Sequence, residues 1–135
     1  CPSCSKRYRL DNDDDPRIRR LTTYVDEHLT GADRRVVIYA GGEHTRNLLR
    51  LLTRAGLKDR INVVGVVDSN ELLRGADLLG HTIYGPDELG SLTPTHVLIS
   101  TFYGEAQIFN ALREKEFPAE LVRIYRDIVN GGDSK

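Results

Sequence analysis

The stretch Arg35-Val-Val-Ile-Tyr-Ala-Gly-Gly-Glu-His-Thr-Arg-Asn-Leu-Leu49, read on through Val63-Val-Gly-Val-Val-Asp-Ser-Asn70, decides the fold. An apolar run from Val36 to Ala40 leads into the glycine pair Gly41 and Gly42. A helical pattern follows, with Leu48, Leu49, Leu52 and Ala55 on one face, and stops at Gly56, a common residue at helix C-termini. A second apolar run, Val63 to Val67, ends in Asp68. Strand, tight glycine turn, helix, strand and terminal acid make the first βαβ unit of a doubly wound sheet.

Both strand runs are continuous rather than alternating, as expected of a parallel sheet covered on both faces. Glycine lets the backbone turn sharply and lets a ligand approach it closely. The helix start then directs free N–H groups and a partial positive charge at that point, which suits a phosphate. An acid at the end of the second strand can accept hydrogen bonds from ribose hydroxyls. The candidate binding residues here are Gly41, Gly42, Glu43, His44, Thr45 and Asp68. Set on the G-x-G-x-x-G dinucleotide fingerprint, the chain has Ala40, Gly42 and Thr45 at the three glycine positions, so the middle glycine alone is kept. Asp68 follows Gly42 by 26 positions, against a usual spacing of about 20. Two readings of the glycine pair stay open, a nucleotide loop and a plain turn. Glu43 would repel a phosphate unless it points away, and His44 is read as a ligand contact ahead of an acid or base.

Upstream, Ile18, Leu21, Val25 and Leu29 form a one-sided apolar stripe over residues 16–29, with Asp15 as the cap and Pro16 at the first helical position. This amphipathic helix is expected to pack on the sheet edge or on a second copy, and Gly31 ends it. Residues 6–15 change from basic to acidic like a solvated linker. Before them, Cys1 and Cys4 have the C-x-x-C spacing of half a zinc site. The sequence has no further cysteine, so the remaining ligands would come from a second chain, an upstream segment or a stray His or Asp. A redox pair and an inert pair are the alternatives. The sequence lacks methionine and starts at Cys1, which is expected of a fragment, a processed form or part of something longer.

Downstream, residues 69–80 read as a turn and irregular excursion, 81–85 as a strand and 86–92 as a short helix. Residues 96–100 form the next buried strand, 104–117 a helix with Ile108, Phe109 and Leu112 inward, and 121–125 an edge strand. The spacing thus predicts an α/β fold: a doubly wound, mostly parallel five-stranded sheet with helices on both faces, preceded by the amphipathic helix. It divides into residues 1–15 (Cys-x-x-Cys segment and linker), 16–130 (a single domain) and 131–135 (tail). In open α/β sheets the ligand lies outside the carboxyl ends of the strands at the topological switch point. That rule brings Gly42, Asp68, Ser100, Thr101 and Tyr103 to one crevice.

Size and charge narrow the function. With 135 residues the chain makes one core, and its net charge of −1 argues against a general nucleic-acid binder. No apolar run approaches the roughly 20 residues of a membrane span, and no signal peptide is visible, so a cytoplasmic setting is expected. None of the six tyrosines has lysine four residues on, and the sequence has neither a Gly-x-Ser-x-Gly elbow nor a complete P-loop.

The pieces Val36-Val-Ile-Tyr-Ala-Gly-Gly42, Val64-Gly-Val-Val-Asp68, Gly80-His-Thr-Ile-Tyr-Gly85 and Pro86-Asp-Glu-Leu89 together resemble a known family. The chain is similar there to the Rossmann-like nucleotide-binding domain of bacterial polysaccharide-biosynthesis proteins, of the nucleotide-sugar epimerase/dehydratase type. The resemblance implies a doubly wound fold and a nucleotide, nucleotide-sugar or other phosphate-bearing ligand. NAD(P), a nucleotide sugar and zinc are the candidate cofactors. Without a catalytic motif, the expected role is a binding or regulatory module in a homodimer or a larger parent protein. The alternative is an interaction domain with a vestigial pocket, dimerising through the N-terminal helix and a shared zinc.

Overall fold

The computed structural model describes residues 15–40, 42–101, 104–124 and 128, with Glu43 described in its backbone alone. Cys1, Cys4, Gly41 and Tyr103 lie outside these residues. The strands are β1 (Arg35–Tyr39), β2 (Asn62–Val67), β3 (Asp77–Leu78), β4 (His81–Tyr84), β5 (His96–Ile99) and β6 (Glu120–Arg123). The helices are α1 (Pro16–Tyr24), α2 (Glu43–Arg54) and α3 (Glu105–Glu114).

The six strands lie in the order β3-β4-β2-β1-β5-β6. All pairs from β4 to β6 are parallel, and β3 alone runs antiparallel, against β4. The five expected strands are therefore present, and the sheet gains a sixth from within the stretch read as an irregular excursion. Two residues are too few to show an alternating pattern. What makes the strand is its reversal: Leu79 and Gly80 both take positive φ, at 50° and 93°, as in the tight primed hairpin turns.

Successive strand residues face opposite sides of the sheet. On β1, Val36 and Ile38 enter one core with Ile18 and Leu21 of α1 and Leu48, Leu49, Leu51 and Leu52 of α2. Val37 enters the other core with Leu112 of α3 and Leu89 of the short helical turns after β4. Each buried leucine of this kind contributes about 1.5–3 kcal/mol relative to exposure. Two details correct the helical-face expectation for α2: Ala55 is exposed at the end of the helix, and Leu51 takes its place in the core.

Asp15 caps α1 as expected, accepting from the Arg17 N–H at 2.9 Å. Bonding to Arg17 holds its carboxyl below the usual range. Beyond Tyr24 the helix widens into a π-helical turn, Val25–Leu29. Ile18, Leu21, Val25 and Leu29 are all buried in the chain's own core, so the apolar stripe is used within the protomer. No helix among the described residues is long and apolar enough to cross a membrane.

Candidate functional site

The chain leaves β1 towards β2 and later returns to the other side of β1 as β5, so the switch point lies between β1 and β5. Just past the strand ends the ladder continues. The Ala40 N–H donates to the Val67 carbonyl, and the Ser100 N–H donates to the Tyr39 carbonyl at 3.0 Å. Ala40, at the first glycine position of the fingerprint, has φ +96°. The backbone thus keeps a glycine-type conformation although the residue is alanine, at a cost of about 1–2 kcal/mol.

Gly42 caps α2 with φ −92°, and among the described residues no side chain caps that end. Among the described residues, a Cβ built on Gly42 meets nothing within 4 Å. The fold therefore does not require glycine there, and open space lies against the first turn of a 12-residue helix. That turn presents its N–H groups and the positive end of the helix dipole at the carboxyl edge of the sheet.

Thr45, at the third glycine position, is wholly buried, and Ser100 is 1% exposed. The Thr45 hydroxyl donates to the Ala40 carbonyl, tying the first turn of α2 to the end of β1. Its oxygen lies 2.9 Å from Ser100 Oγ, which lies 2.7 Å from His44 Nδ1. A carbonyl can only accept, so the proton of Thr45 goes to Ala40. The Ser100 proton is then the one available to the Thr45 oxygen, and His44 Nδ1–H donates to Ser100. The chain His44→Ser100→Thr45→Ala40 satisfies each link and leaves Nε2 of the neutral ring as its acceptor nitrogen. Burial pushes the His44 pKa down to about 4, so the ring is neutral at physiological pH.

Asp68 ends β2 as the sequence predicts. Its N–H donates to the Tyr84 carbonyl at 3.0 Å, and its Oδ1 accepts from the Asn70 N–H at 2.7 Å. It lines a cavity of about 250 Å³ between the ends of β2 and β4, together with Glu71, Arg74, Gly85 and Asp87. Tyr39 stands close enough that burial and the Asp68 charge raise its phenol pKa. Gly65 makes the nearby packing possible, because a Cβ there would lie 2.9 Å from the Tyr84 ring.

The structure thus brings Gly42, His44, Thr45 and Ser100 together, with Asp68 one strand away and Thr101 half-buried next to the Gly104 turn. Tyr39, Arg74 and Glu105 are absent from the sequence-based set. Glu105, buried at the start of α3, sits 3.4 Å from Arg123 Nε. The Arg123 guanidinium lies over Phe109, 4.8 Å from its centroid. A glutamate in the first turn of a helix was a usable signal for Glu105. Arg74 lies in the excursion whose path the sequence did not reveal. Among the described residues no group of three or more His, Cys, Asp or Glu is placed to hold a metal.

The fold is shared with solved structures of low identity. UDP-D-quinovosamine 4-dehydrogenase from Vibrio fischeri aligns over 75% of this chain and 87% of its own, with 22% identity and a TM-score of 0.54. The Rex-family repressor RSP aligns over 78% of this chain at 13% identity and a TM-score of 0.51. RSP in complex with β-NADH aligns over 82% of this chain at 12% and 0.52. The alignments span 57% and 61% of the two repressor chains. No curated protein matches the sequence. A family described as C2185-like, N-terminal, matches residues 32–119, from the loop before β1 to the residue before β6. With well over half of its length in that match, the chain belongs to the C2185-like family and carries the family's N-terminal domain.

Proposed function

We propose that this chain is a nucleotide-binding module. The phosphates of a dinucleotide or nucleotide sugar lie on the first turn of α2, and the ribose lies towards Asp68. One observation carries the reading: at the switch point a helix begins at a glycine that the fold does not need, with open space where its side chain would be. Ligands of doubly wound sheets lie at this place, and a helix start that no described side chain caps is suited to an anion. His44, Thr45 and Ser100 act from behind, fixing the turn through their hydrogen-bond chain. Thr101 borders the same crevice.

The names of the structural neighbours, a UDP-sugar dehydrogenase and a repressor solved with NADH, agree in kind with such a ligand. So does the resemblance to polysaccharide-biosynthesis domains. The Ser–His pair present, Ser100 and His44, is turned inward: Ser100 is buried and its proton goes to Thr45, so the module holds its ligand for a larger protein or a homodimer.

A thermal-shift series with NADH and with UDP-, GDP- and CMP-sugars tests the reading. A ligand at 100 times its dissociation constant adds about 2.7 kcal/mol, which for this size raises Tm by roughly 5–15 °C. Gly42→Val fills the approach while its backbone angles remain allowed. It is expected to weaken binding by about 100-fold or more through steric clash, with Tm nearly unchanged. Equal affinity in the variant would rule the site out.

A further inference from the structure

We propose that Arg74, clamped by Asp87 and Glu88, makes the cavity beside Asp68 selective for a ribose with a free 2′-hydroxyl and closes it to a 2′-phosphate. The inference rests on the nucleotide reading above and adds to it the chemical class of the sugar.

The cavity lies between the carboxyl ends of β2 and β4, one strand away from the phosphate turn, where the ribose of a nucleotide anchored at Gly42 arrives. Arg74 is the one cation among the described residues that line it. An arginine at this position can grip a phosphate through two parallel N–H bonds. Here the Nε–Nη2 edge of that fork is already engaged. Nε donates to Glu88 Oε1 at 2.9 Å, and Nη2 lies 2.9 Å from the same oxygen and 3.2 Å from Asp87 Oδ1. Glu88 is itself fixed, because Oε1 also accepts from the Gly85 N–H at 2.9 Å.

Gly85 lets the clamp lie flat on the chain. A Cβ there would stand 3.0 Å from Arg74 Cζ and 2.8 Å from Asp87 Oδ1. An arriving 2′-phosphate would meet the carboxylates of Asp68, Glu71 and Asp87 along the cavity wall, with the guanidinium turned to its own two acids. A ribose diol instead donates hydrogen bonds, which carboxylates accept. The ion pairs are solvent-exposed, so they contribute little to folding and their effect falls on the charge balance of the cavity.

Calorimetric titration of the full chain with NADH and NADPH, which differ by the 2′-phosphate alone, tests this. The wild type is expected to bind NADH at least about tenfold tighter, since like charges brought together are costly. Raising the salt from about 50 to about 500 mM should shrink that ratio by screening. In the double variant Asp87→Asn, Glu88→Gln, the new side-chain amide at the second position retains an acceptor for the Gly85 N–H. NADPH affinity should rise about tenfold relative to that for NADH as the guanidinium is released. Adding Arg74→Ala should abolish the gain, which loss of a merely structural contact would not do.

Wild-type binding of NADPH as tight as NADH overturns the proposal, whatever the variants do. An unchanged ratio in the folded double variant also overturns it. If neither dinucleotide binds but a UDP-sugar does, the ribose inference fails and the nucleotide reading stands. Silence from all three ends both.

Discussion

The two ends of the proposed site are built from opposite materials. At the phosphate end, Thr45 and Ser100 are out of solvent and a neutral imidazole completes a chain of hydrogen bonds to the Ala40 carbonyl. At the ribose end, Arg74, Asp87 and Glu88 are exposed charges on turns, held to one another by direct ion pairs at the surface. Buried polar groups are costly when left unpaired, so a chain of them permits one geometry. Exposed ion pairs contribute little to stability. The first end can therefore hold a fixed backbone shape for a phosphate, while the second can tune selectivity by charge without risk to the fold.

The widest consequence of that difference is in the response to acid. His44 has a folded pKa of about 4, below its ordinary 6.5, because burial penalises the charged ring. The unfolded chain takes up the proton first. Stability is therefore full above about pH 6.5 and falls as the pH drops towards 4, by up to about 3 kcal/mol. His81, half-exposed, shifts the same way through burial and Lys58, and adds a smaller loss over the same range. Denaturant titrations between pH 7 and pH 4 measure the slope. His44→Gln, whose amide can still donate to Ser100, is expected to remove most of it; a slope that survives in the variant would place the acid sensitivity elsewhere.

Next in size is the loss of the central hydroxyl. Thr45→Val keeps the shape and removes the proton donated to the Ala40 carbonyl, leaving Ser100 without its acceptor. The expected cost is about 1–3 kcal/mol by chemical denaturation. Glu88→Gln at the other end is expected to change stability by less than about 0.5 kcal/mol. Similar costs at the two ends would erase the contrast between them.

How much of this was legible follows from the same physics. Parallel strands buried on both faces are continuous apolar runs, so β1, β2 and β5 stand out in the sequence, and the switch-point rule then picks out Gly42, Asp68 and Ser100 with no contact information. A two-residue strand such as β3 has no pattern to read. Leu51 and Ala55 exchange places in the core because a helical face wider than one stripe is ambiguous at its edges. The hydrogen-bond chain was hidden for another reason: Thr45 and Ser100 meet across 55 positions of sequence. A serine ending one strand and a threonine opening a helix after another give no sign that they share a proton. The Arg74 clamp was hidden likewise, since its partners lie 13 and 14 positions away across β3 and β4.

Ala40 gives the smallest and sharpest test. At φ +96° an alanine is strained, while a glycine adopts that conformation freely. Ala40→Gly relieves the strain but gives the unfolded chain more freedom to lose, so a net gain of about 1 kcal/mol is expected. If the phosphate end is held by the Thr45–Ser100–His44 chain, the glycine variant keeps the same turn and binds nucleotide as the wild type does. If the strained alanine itself holds the turn, the more stable variant binds more weakly. Stability and affinity measured on the one variant therefore separate rigidity due to the hydrogen bonds from rigidity due to the backbone. The ribose end offers no equivalent test, since among the described residues no non-glycine residue that lines its cavity has a positive φ.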